Sequence, residues 1–152
     1  MTVTIHTEDV MAAIAGLSIT GLTICELSEI PDAPDQRKSY LIPSPAEPAF
    51  LTNPVIERKT FGSMGNAAQD LTYTLNYKLL YKPVGTGRGI RDVIPGAFAM
   101  AITIVETIQQ LTLLDGAVTW KATPGEAVLI TDPSGNQWDG WTITVEVLDF
   151  IQ

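Results

Sequence analysis

The sequence predicts an α+β fold, in which a mostly antiparallel β-sheet has one long helix and a short N-terminal helix packed on it. Residues Asp70–Tyr81 alternate apolar and polar side chains, which is the pattern of a long strand with one buried face. Residues Val93–Leu113 carry apolar side chains at helical spacing. Strand-like runs precede and follow this helix, and the length of 152 residues predicts one domain covering residues 1–152.

The first element is a short helix at Thr7–Ala15. Thr7 is a suitable N-terminal cap, the two acidic residues after it favour the helix dipole, and Gly16 suits the C-terminal end. Helical spacing places three apolar residues on one face, namely Val10, Ile14 and Leu17. We therefore expect this face to pack on the sheet.

Two strands and a proline-rich segment follow. Alternating side chains predict strands at Leu22–Glu29 and Ser39–Pro43. Residues 43–54 contain four prolines, and proline cannot donate to a central sheet ladder, so this proline-rich stretch is an irregular contact arm or an edge segment. A further strand is predicted at Val55–Phe61, and the glycines after it predict a flexible tip at Gly62–Gln69.

The central strand has two distinct faces. One face carries only leucines and tyrosines, at Leu71, Tyr73, Leu75, Tyr77, Leu79 and Tyr81. The other face is polar, with Thr72, Thr74, Asn76 and Lys78. This alternation predicts burial of the first face only, as in an antiparallel sheet.

The long helix begins after Asp92, a good N-cap, and tolerates Pro95 in its first turn. Its apolar stripe is wide, and consists of Ile94, Ala97, Phe98, Ala101, Ile102, Val105, Ile108 and Leu111. Three strands then end the domain, with the turn DPSGNQ between the last two. They are predicted at Val118–Ala122, Ala127–Thr131 and Trp138–Ile151.

Composition excludes several kinds of chemistry. The chain has one cysteine, Cys25, and one histidine, His6, so it holds neither a disulfide framework nor a multi-cysteine metal site. We expect Cys25 to be a buried structural thiol and His6 to be a surface residue. The glycines of VGTGRGIRD lack the Walker and dinucleotide spacings, which favours a mobile connection over a phosphate site. Since no catalytic constellation is visible, we predict no enzymatic activity, no cofactor and no metal.

Neither an export segment nor a membrane span is predicted. The N-terminal residues MTVTIHTEDV carry no basic region followed by a long apolar region. The uncharged apolar stretch Val93–Val105 is shorter than the roughly 18 residues that a membrane-spanning helix needs. We therefore expect a soluble protein made in the cytosol, with no membrane partner.

Charge is distributed unevenly along the chain, whose net charge is −8. Residues 37–91 hold eight basic and three acidic residues, whereas the remainder holds one lysine and fourteen acidic residues. Two solvated faces, nucleic-acid binding, and head-to-tail assembly of a basic surface on an acidic one all fit this split. In the assembly interpretation, the proline-rich arm and the tip are contact elements, and the residues facing a neighbouring subunit are Arg58, Lys59, Arg88 and Arg91.

Three parts of the chain resemble the tail terminators, or tail-completion proteins, of tailed bacteriophages of the siphophage and myophage types. The first part is the short helix followed by LTICELSEIPD. The second is ERKTFGSMGNAAQDLTYTLNYKLLYKPVGTGRGIRDVI, leading into the long helix. The third is the hairpin VLITDPSGNQWDGWTITVEVLDFI. The resemblance is one of layout and covers nearly the whole chain.

The resemblance implies a structural virion protein, made in the bacterial host cytoplasm, without enzymatic activity or cofactor. Such a protein forms a hexameric ring that caps the head-proximal end of the tail tube, ends tube polymerisation and joins the tail to the head. The implied partners are further copies of the chain, the tail-tube protein and a head-completion or neck protein, and genome DNA passes through the channel without specific binding. The alternatives are another neck or head–tail connector protein, a tail-tube protein, or, from a different class, a small ligand- or phosphate-binding module.

Overall fold

Two helices and a sheet of six strands form the folded framework, which confirms the α+β prediction. The structure, a computed structural model, describes residues 6–26, 30–35, 37–44, 49–58, 69–84, 90–111 and 118–151. In chain order the elements are α1 (Thr7–Ala15), β1 (Leu22–Ile24), β2 (Ser39–Pro43), β3 (Leu51–Arg58), β4 (Gln69–Pro83), α2 (Ile90–Gln109), β5 (Val118–Thr131) and β6 (Gln137–Ile151).

β4 is the central strand of the sheet, because it pairs along both of its edges. One edge pairs antiparallel with β6 from end to end. The other edge is divided, so that β3 pairs with the first half of β4 and β2 with the second half, both antiparallel. β1 lies parallel to β2, and β5 pairs antiparallel with the far edge of β6. The sheet therefore ends in β5 on one side, and in β1 and β3 on the other.

Both helices pack on one face of the sheet, which we call the helix face. The predicted burial of the leucines and tyrosines of β4 is confirmed, since five of the six are buried and Tyr81 is half-buried. One continuous cluster contains Val10 and Ile14 of α1, Ala101, Ile104 and Ile108 of α2, and Leu41, Leu71, Tyr73, Leu75, Tyr77, Leu79, Val118, Ala122, Ile143, Val145 and Val147 of the sheet. Fully burying one such aliphatic side chain contributes about 1.5–3 kcal/mol, so this cluster is the main stabilising feature.

A smaller cluster surrounds Trp138 on the opposite face of the sheet. Its β2 members, Tyr40 and Ile42, alternate along the strand with Leu41, which faces the helices. Trp138 is fully buried, and its ring meets the ring of Tyr40 edge-on, with 6.2 Å between the centroids. Cys25 lies in the same cluster and is buried, which confirms the expected position of its thiol.

The first two predicted elements differ in accuracy. α1 has the predicted bounds, but its N-cap residue is His6 rather than the predicted Thr7. The His6 side chain makes no capping hydrogen bond to the first turn of the helix. β1 is shorter than the predicted Leu22–Glu29, and its pairing with β2 ends where the N–H of Cys25 donates to the Leu41 carbonyl at 2.9 Å. Cys25 lies in the Trp138 cluster and Ile24 packs against the cluster on the helix face, as expected for neighbouring residues of a strand. Residues 27–29 lie outside the described residues.

β2 has the predicted bounds, and β3 begins earlier than predicted, at Leu51. The last part of the proline-rich arm is therefore an edge strand, one of its two predicted forms. The pairing register shifts between Thr52 and Val55, and Asn53 has a positive φ of 56°, so Pro54 lies in a bulge where it need not donate to the ladder. Residues 45–48 and 59–68, including most of the predicted tip, lie outside the described residues.

α2 begins about one turn before the predicted start. Asp92 therefore lies inside the helix rather than at its N-cap, and Pro95 is in the helix interior, where it has no N–H for the carbonyl four residues earlier. The predicted stripe is also rotated, since Ile94 and Phe98 are exposed. The face that packs on the sheet instead follows regular helical spacing and consists of Val93, Ala97, Ala101, Ile104 and Ile108.

The last three predicted strands are two in the structure. β5 runs continuously from Val118 to Thr131, with a register shift between Pro124 and Ala127. Pro124 is tolerated because β5 is an edge strand, and the N–H of Glu126 donates to the Thr142 Oγ1 at 2.9 Å in place of a ladder bond. The predicted turn between β5 and β6 is confirmed.

Candidate subunit interface

The basic interface candidates lie at different ends of the sheet. Arg58 is the last residue of β3 and pairs with Gln69, the first residue of β4. Arg91 is in the first turn of α2, which approaches the other end of β4: a Cβ placed on Gly96 would meet the hydroxyl of Tyr81. At roughly 3.3 Å per residue, these two ends of β4 are about 40 Å apart.

This separation changes the interpretation of the basic residues. The backbones of Arg58 and Arg91 lie at opposite ends of β4, so an interface that used both residues would consist of two separate contacts. Lys59 and Arg88, the other two candidates, lie outside the described residues. Their assignment to an interface stays a prediction.

β3 forms an exposed apolar edge at one end of the sheet. Its side chains Leu51, Val55 and Ile56 are all exposed, and Ile56 is 63% exposed. Ile56 pairs with Leu71 of β4, which faces the helices, so Ile56 lies on the helix face. Val55 pairs with Thr72 and lies on the opposite face. We call these three side chains the β3 edge.

A second exposed apolar surface lies at the other end of the sheet, between α2 and β5. A groove of about 170 Å³ runs between the two elements. Leu129 of β5 is 61% exposed beside it, and Ile94 of α2 is exposed on its other side. We call this surface the α2–β5 groove, and its lining residues are Val93, Ile94, Ala97, Ala127, Val128, Leu129, Asp139 and Gly140.

Phe98 extends this apolar surface along α2. Its ring is 47% exposed and packs on Trp141, with 5.3 Å between the ring centroids and 45° between the ring planes. The Nε1 of Trp141 is buried and has no hydrogen-bond partner among the described residues. Phe98 and Ile94 were predicted to face the sheet, and the rotation of α2 leaves them on the surface instead.

Part of the sheet face opposite the helices is also uncovered. A groove of about 560 Å³ crosses β3, β4, β6 and β5, and its polar lining includes Thr72, Thr74, Thr119, Lys121 and Glu146. Lys121 and Glu146 are directly paired in the ladder. The predicted polar face of β4 is therefore correct here.

Asn76 departs from this pattern because it is buried. Its Nδ2 donates to the Ala49 carbonyl and to the Thr52 Oγ1, both at 2.9 Å. These bonds attach the start of β3 and the residues just before it to the middle of β4, so the amide of Asn76 is hydrogen-bonded within the protein instead of to solvent.

His6 is half-buried and hydrogen-bonds to a buried carboxylate, which contradicts its prediction as a surface residue. Its backbone N–H donates to the Asp149 Oδ2 at 2.9 Å, and its Nδ1 lies 2.8 Å from the Asp149 Oδ1. The Asp149 side chain is fully buried and the His6 side chain is 19% exposed. Asp149 thus places a carboxylate at the N-terminus of α1, where the helix dipole favours negative charge. Burial raises the pKa of the nearby Tyr73, and the Asp149 charge adds to this effect.

His6→Ala will lower the free energy of unfolding by about 1–3 kcal/mol, because the buried Asp149 carboxylate loses one of the two donors that His6 supplies. His6→Gln, which retains a side-chain donor, will lose less. Urea denaturation at neutral pH measures both. Ser18→Ala, an exposed position after α1, is the control and should change stability by less than about 0.5 kcal/mol. Equal stabilities of His6→Ala and Ser18→Ala would show that the hydrogen bond between His6 and Asp149 does not stabilise the fold.

The described residues contain no group of three histidine, cysteine or acidic side chains placed to hold a metal ion. None of the helices within the described ranges is long and apolar enough to cross a bilayer. The glycines of VGTGRGIRD, the candidate phosphate loop, fall largely in residues 85–89, which the structure does not describe. Comparison with protein-family models and with curated proteins gives no match to this chain.

Proposed function

We propose that this protein is a structural subunit of a phage virion, which forms a ring at the head-proximal end of the tail tube in the manner of a tail terminator. The observation that supports the proposal best is the pair of unlike apolar surfaces, the β3 edge and the α2–β5 groove, at opposite ends of one sheet. A subunit with two different contact surfaces binds its neighbours head to tail, and such contacts close into a ring when the rotation between subunits permits.

The exposed side chains themselves favour assembly. Ile56 and Leu129 each leave more than half of their surface in solvent, and Phe98 leaves almost half. Clustered apolar exposure of this kind marks interaction sites on soluble proteins. Head-to-tail contact would cover both clusters in every subunit, whereas a two-fold dimer through one of them would leave the other in solvent.

Net charge fits a channel through which DNA moves. Six copies of a chain with net charge −8 carry a formal charge of −48, so their contacts need local charge complementarity. A channel with acidic walls repels DNA phosphates, and the duplex would slide through it rather than bind. This is the role of a passive connector between tail tube and head, and it requires neither a cofactor nor an enzymatic activity.

Negative-stain electron microscopy of the purified protein over a concentration series tests the proposal. We expect closed rings with six-fold symmetry. The charge-reversal variant Arg58→Glu/Lys59→Glu should abolish the rings and leave the monomer folded, because it reverses the charge at the end of the β3 edge. Circular dichroism checks the folding of the variant.

The matched control is Arg37→Glu/Lys38→Glu. It makes the same change in net charge in the exposed segment before β2, where Arg37 pairs with Asp35 two residues away, with its Nε 3.2 Å from the Asp35 Oδ1. Rings should persist in this control. Wild-type protein that stays monomeric at every concentration, or rings that survive the reversal at residues 58 and 59, would contradict the proposal.

A further inference from the structure

We infer that a pocket beside the Trp138 cluster binds a small apolar carboxylate, whose ring or branched chain enters the pocket and whose carboxylate pairs with Lys78. The pocket lies on the sheet face opposite the helices, between the segment 30–35 and the start of the β5–β6 turn. Neither the β3 edge nor the α2–β5 groove contributes a residue to it, so the inference goes beyond the proposed ring and is tested separately.

The floor of the pocket is apolar and belongs to the sheet. It consists of Ile42 of β2, Leu80 of β4 and Ile130 of β5, which are all buried members of the Trp138 cluster. Ile42 and Ile130 lie in strands that are paired along the β2–β4 and β5–β6 ladders. The floor therefore keeps its shape without a ligand and offers an apolar surface to one.

The first wall is formed by the segment 30–35. Ile30, Pro31 and Pro34 line the pocket from this segment. The backbone N–H of Asp35 donates to the Tyr40 hydroxyl at 3.0 Å, which attaches the end of the segment to β2. The two prolines also restrict the backbone, because their rings fix φ. This wall is therefore in place before a ligand binds.

The second wall is the start of the β5–β6 turn, residues 131–133. The Asp132 Oδ2 accepts a hydrogen bond from the Trp138 Nε1 at 2.9 Å. Its Oδ1 accepts from the Ser134 hydroxyl at 2.7 Å and from the Asn136 N–H at 2.9 Å. Both carboxylate oxygens are thus engaged within the protein, so Asp132 shapes this wall and is a poor partner for a cationic ligand.

The volume of the pocket selects a ligand of about one ring. It is about 240 Å³, and an apolar cavity of roughly 150 Å³ accommodates benzene. Pockets for drug-sized ligands begin at roughly 300 Å³, so a nucleotide or another large cofactor does not fit. A six-membered ring with a carboxylate, or a branched aliphatic acid of similar size, fits this volume.

Lys78 supplies the polar contact that orients such a ligand. It is paired with Ile42 in the β2–β4 ladder, and it lines the pocket together with Asp132. A lysine ammonium has three donors, so Lys78 can bind a carboxylate while it keeps a partner within the protein. The pocket therefore favours an anionic head over an amine, because the Asp132 oxygens already accept hydrogen bonds.

The acidic groups around the pocket do not reverse this preference. Asp35 is paired with Arg37, whose Nε lies 3.2 Å from the Asp35 Oδ1. Asp32 belongs to the first wall, and Glu126 lines a neighbouring pocket together with Lys78. Both of these carboxylates are exposed, so water and salt screen their charges. Among the described lining residues, the positive charge that a ligand meets is that of Lys78.

Isoleucine-methyl NMR on the full chain tests the site, with benzoate as the probe. The methyl signals of the lining residues Ile30, Ile42 and Ile130 should shift with a dissociation constant of about 1 mM or below. Ile56 and Ile94 are exposed elsewhere on the surface, so their signals are internal controls that should stay in place. Methyl signals can be recorded from a monomer or from a ring, and the test therefore does not depend on assembly.

Two further probes keep the aromatic ring of benzoate and change its head. Benzylamine should bind about tenfold more weakly than benzoate, because its cation meets the Lys78 ammonium and the engaged oxygens of Asp132. Benzyl alcohol, which is neutral, should fall between the two. This order of affinities measures the contribution of the carboxylate on wild-type protein.

Lys78→Met removes the ammonium and keeps an unbranched apolar side chain. We expect about a tenfold loss of benzoate affinity and about a twofold loss for benzyl alcohol. The matched control is Lys121→Met, which makes the same change on the same sheet face but outside the pocket. It should leave the benzoate affinity within about twofold of wild type, because solvent screens the charge of the exposed Lys121.

Shifts confined to the pocket isoleucines, with a loss of benzoate affinity in Lys78→Met alone, would support the inference. Equal shifts at Ile56 and Ile94, equal affinity for benzylamine, or no shift up to about 10 mM benzoate would overturn it. If Lys78→Met does not fold, the comparison of benzoate with benzylamine on wild-type protein decides the matter. Rings without a benzoate shift would leave the proposed function standing, whereas benzoate binding by a protein that forms no ring would refute the ring alone.

Discussion

Trp138→Ala will lower the free energy of unfolding by about 3–5 kcal/mol, the usual cost of deleting a large aromatic side chain from a packed site. Trp138 is fully buried and is the largest member of the cluster opposite the helices. Its loss leaves a cavity against Tyr40, which meets it edge-on. Urea or thermal unfolding measures the effect, and a loss below about 1 kcal/mol would mean that this cluster contributes little to stability.

Trp138→Phe separates packing from hydrogen bonding. The Trp138 Nε1 donates to the Asp132 Oδ2 at 2.9 Å, and Ser134 and Asn136 donate to the Oδ1. Burial alone would raise the pKa of Asp132, but these hydrogen bonds outweigh it and lower the pKa. A lowered pKa stabilises the fold above the ordinary value of about 4, and this contribution disappears as the pH falls through the folded value. When the pH is lowered from neutral to 3, the free energy of unfolding should therefore fall less for Trp138→Phe than for the wild type.

Gly140→Ala will destabilise the fold by about 3 kcal/mol, at the upper end of the usual cost of overpacking. Gly140 lies in β6 opposite Leu80, and a Cβ there would collide with the backbone carbonyl of Leu79 and with the side chain of Ile130. The carbonyl belongs to the central strand and cannot move without disturbing the β4–β6 ladder. Chemical denaturation measures the loss.

Gly16→Ala is the control for Gly140→Ala. Gly16 has a right-handed backbone conformation with a φ of −79°, so alanine fits there without backbone strain. The same chemical change should alter stability by less than about 1 kcal/mol at this position. Comparable losses at both glycines would mean that the collision at Gly140 is relieved by a small adjustment.

Elements with a clear local pattern were predictable from the sequence. The alternation of β4 extends over enough residues that only a strand with one buried face explains it, and the short helix α1 has its acidic first turn and terminal glycine within one short stretch. β5 was not predictable as one strand, because Pro124 and Gly125 indicate a break when the position of the strand is unknown. β5 lies at the edge of the sheet, where proline breaks no ladder hydrogen bond with a further strand. The sequence around Pro124 does not indicate that β5 is an edge strand.

The candidate interface was predictable only in part. Charge alone pointed to Arg58 and Arg91, but the pairing of the strands was needed to place them at opposite ends of β4. The exposure of Ile56 and Leu129 depends on which strands lie at the sheet edges, and their apolar character alone does not indicate it. The bond between His6 and Asp149 joins residues 143 positions apart and has no local signature.

The order of strands in the sheet also determines how the chain reaches this structure. β5 and β6 are joined by a short turn and form a local hairpin, an event that takes microseconds. β4 and β6, in contrast, are separated along the chain by the long helix and β5. Closing this larger loop costs more chain entropy. During synthesis, the second edge of β4 therefore stays uncovered until β6 has emerged from the ribosome, so an unpaired edge of the central strand is exposed while α2 and β5 are being made.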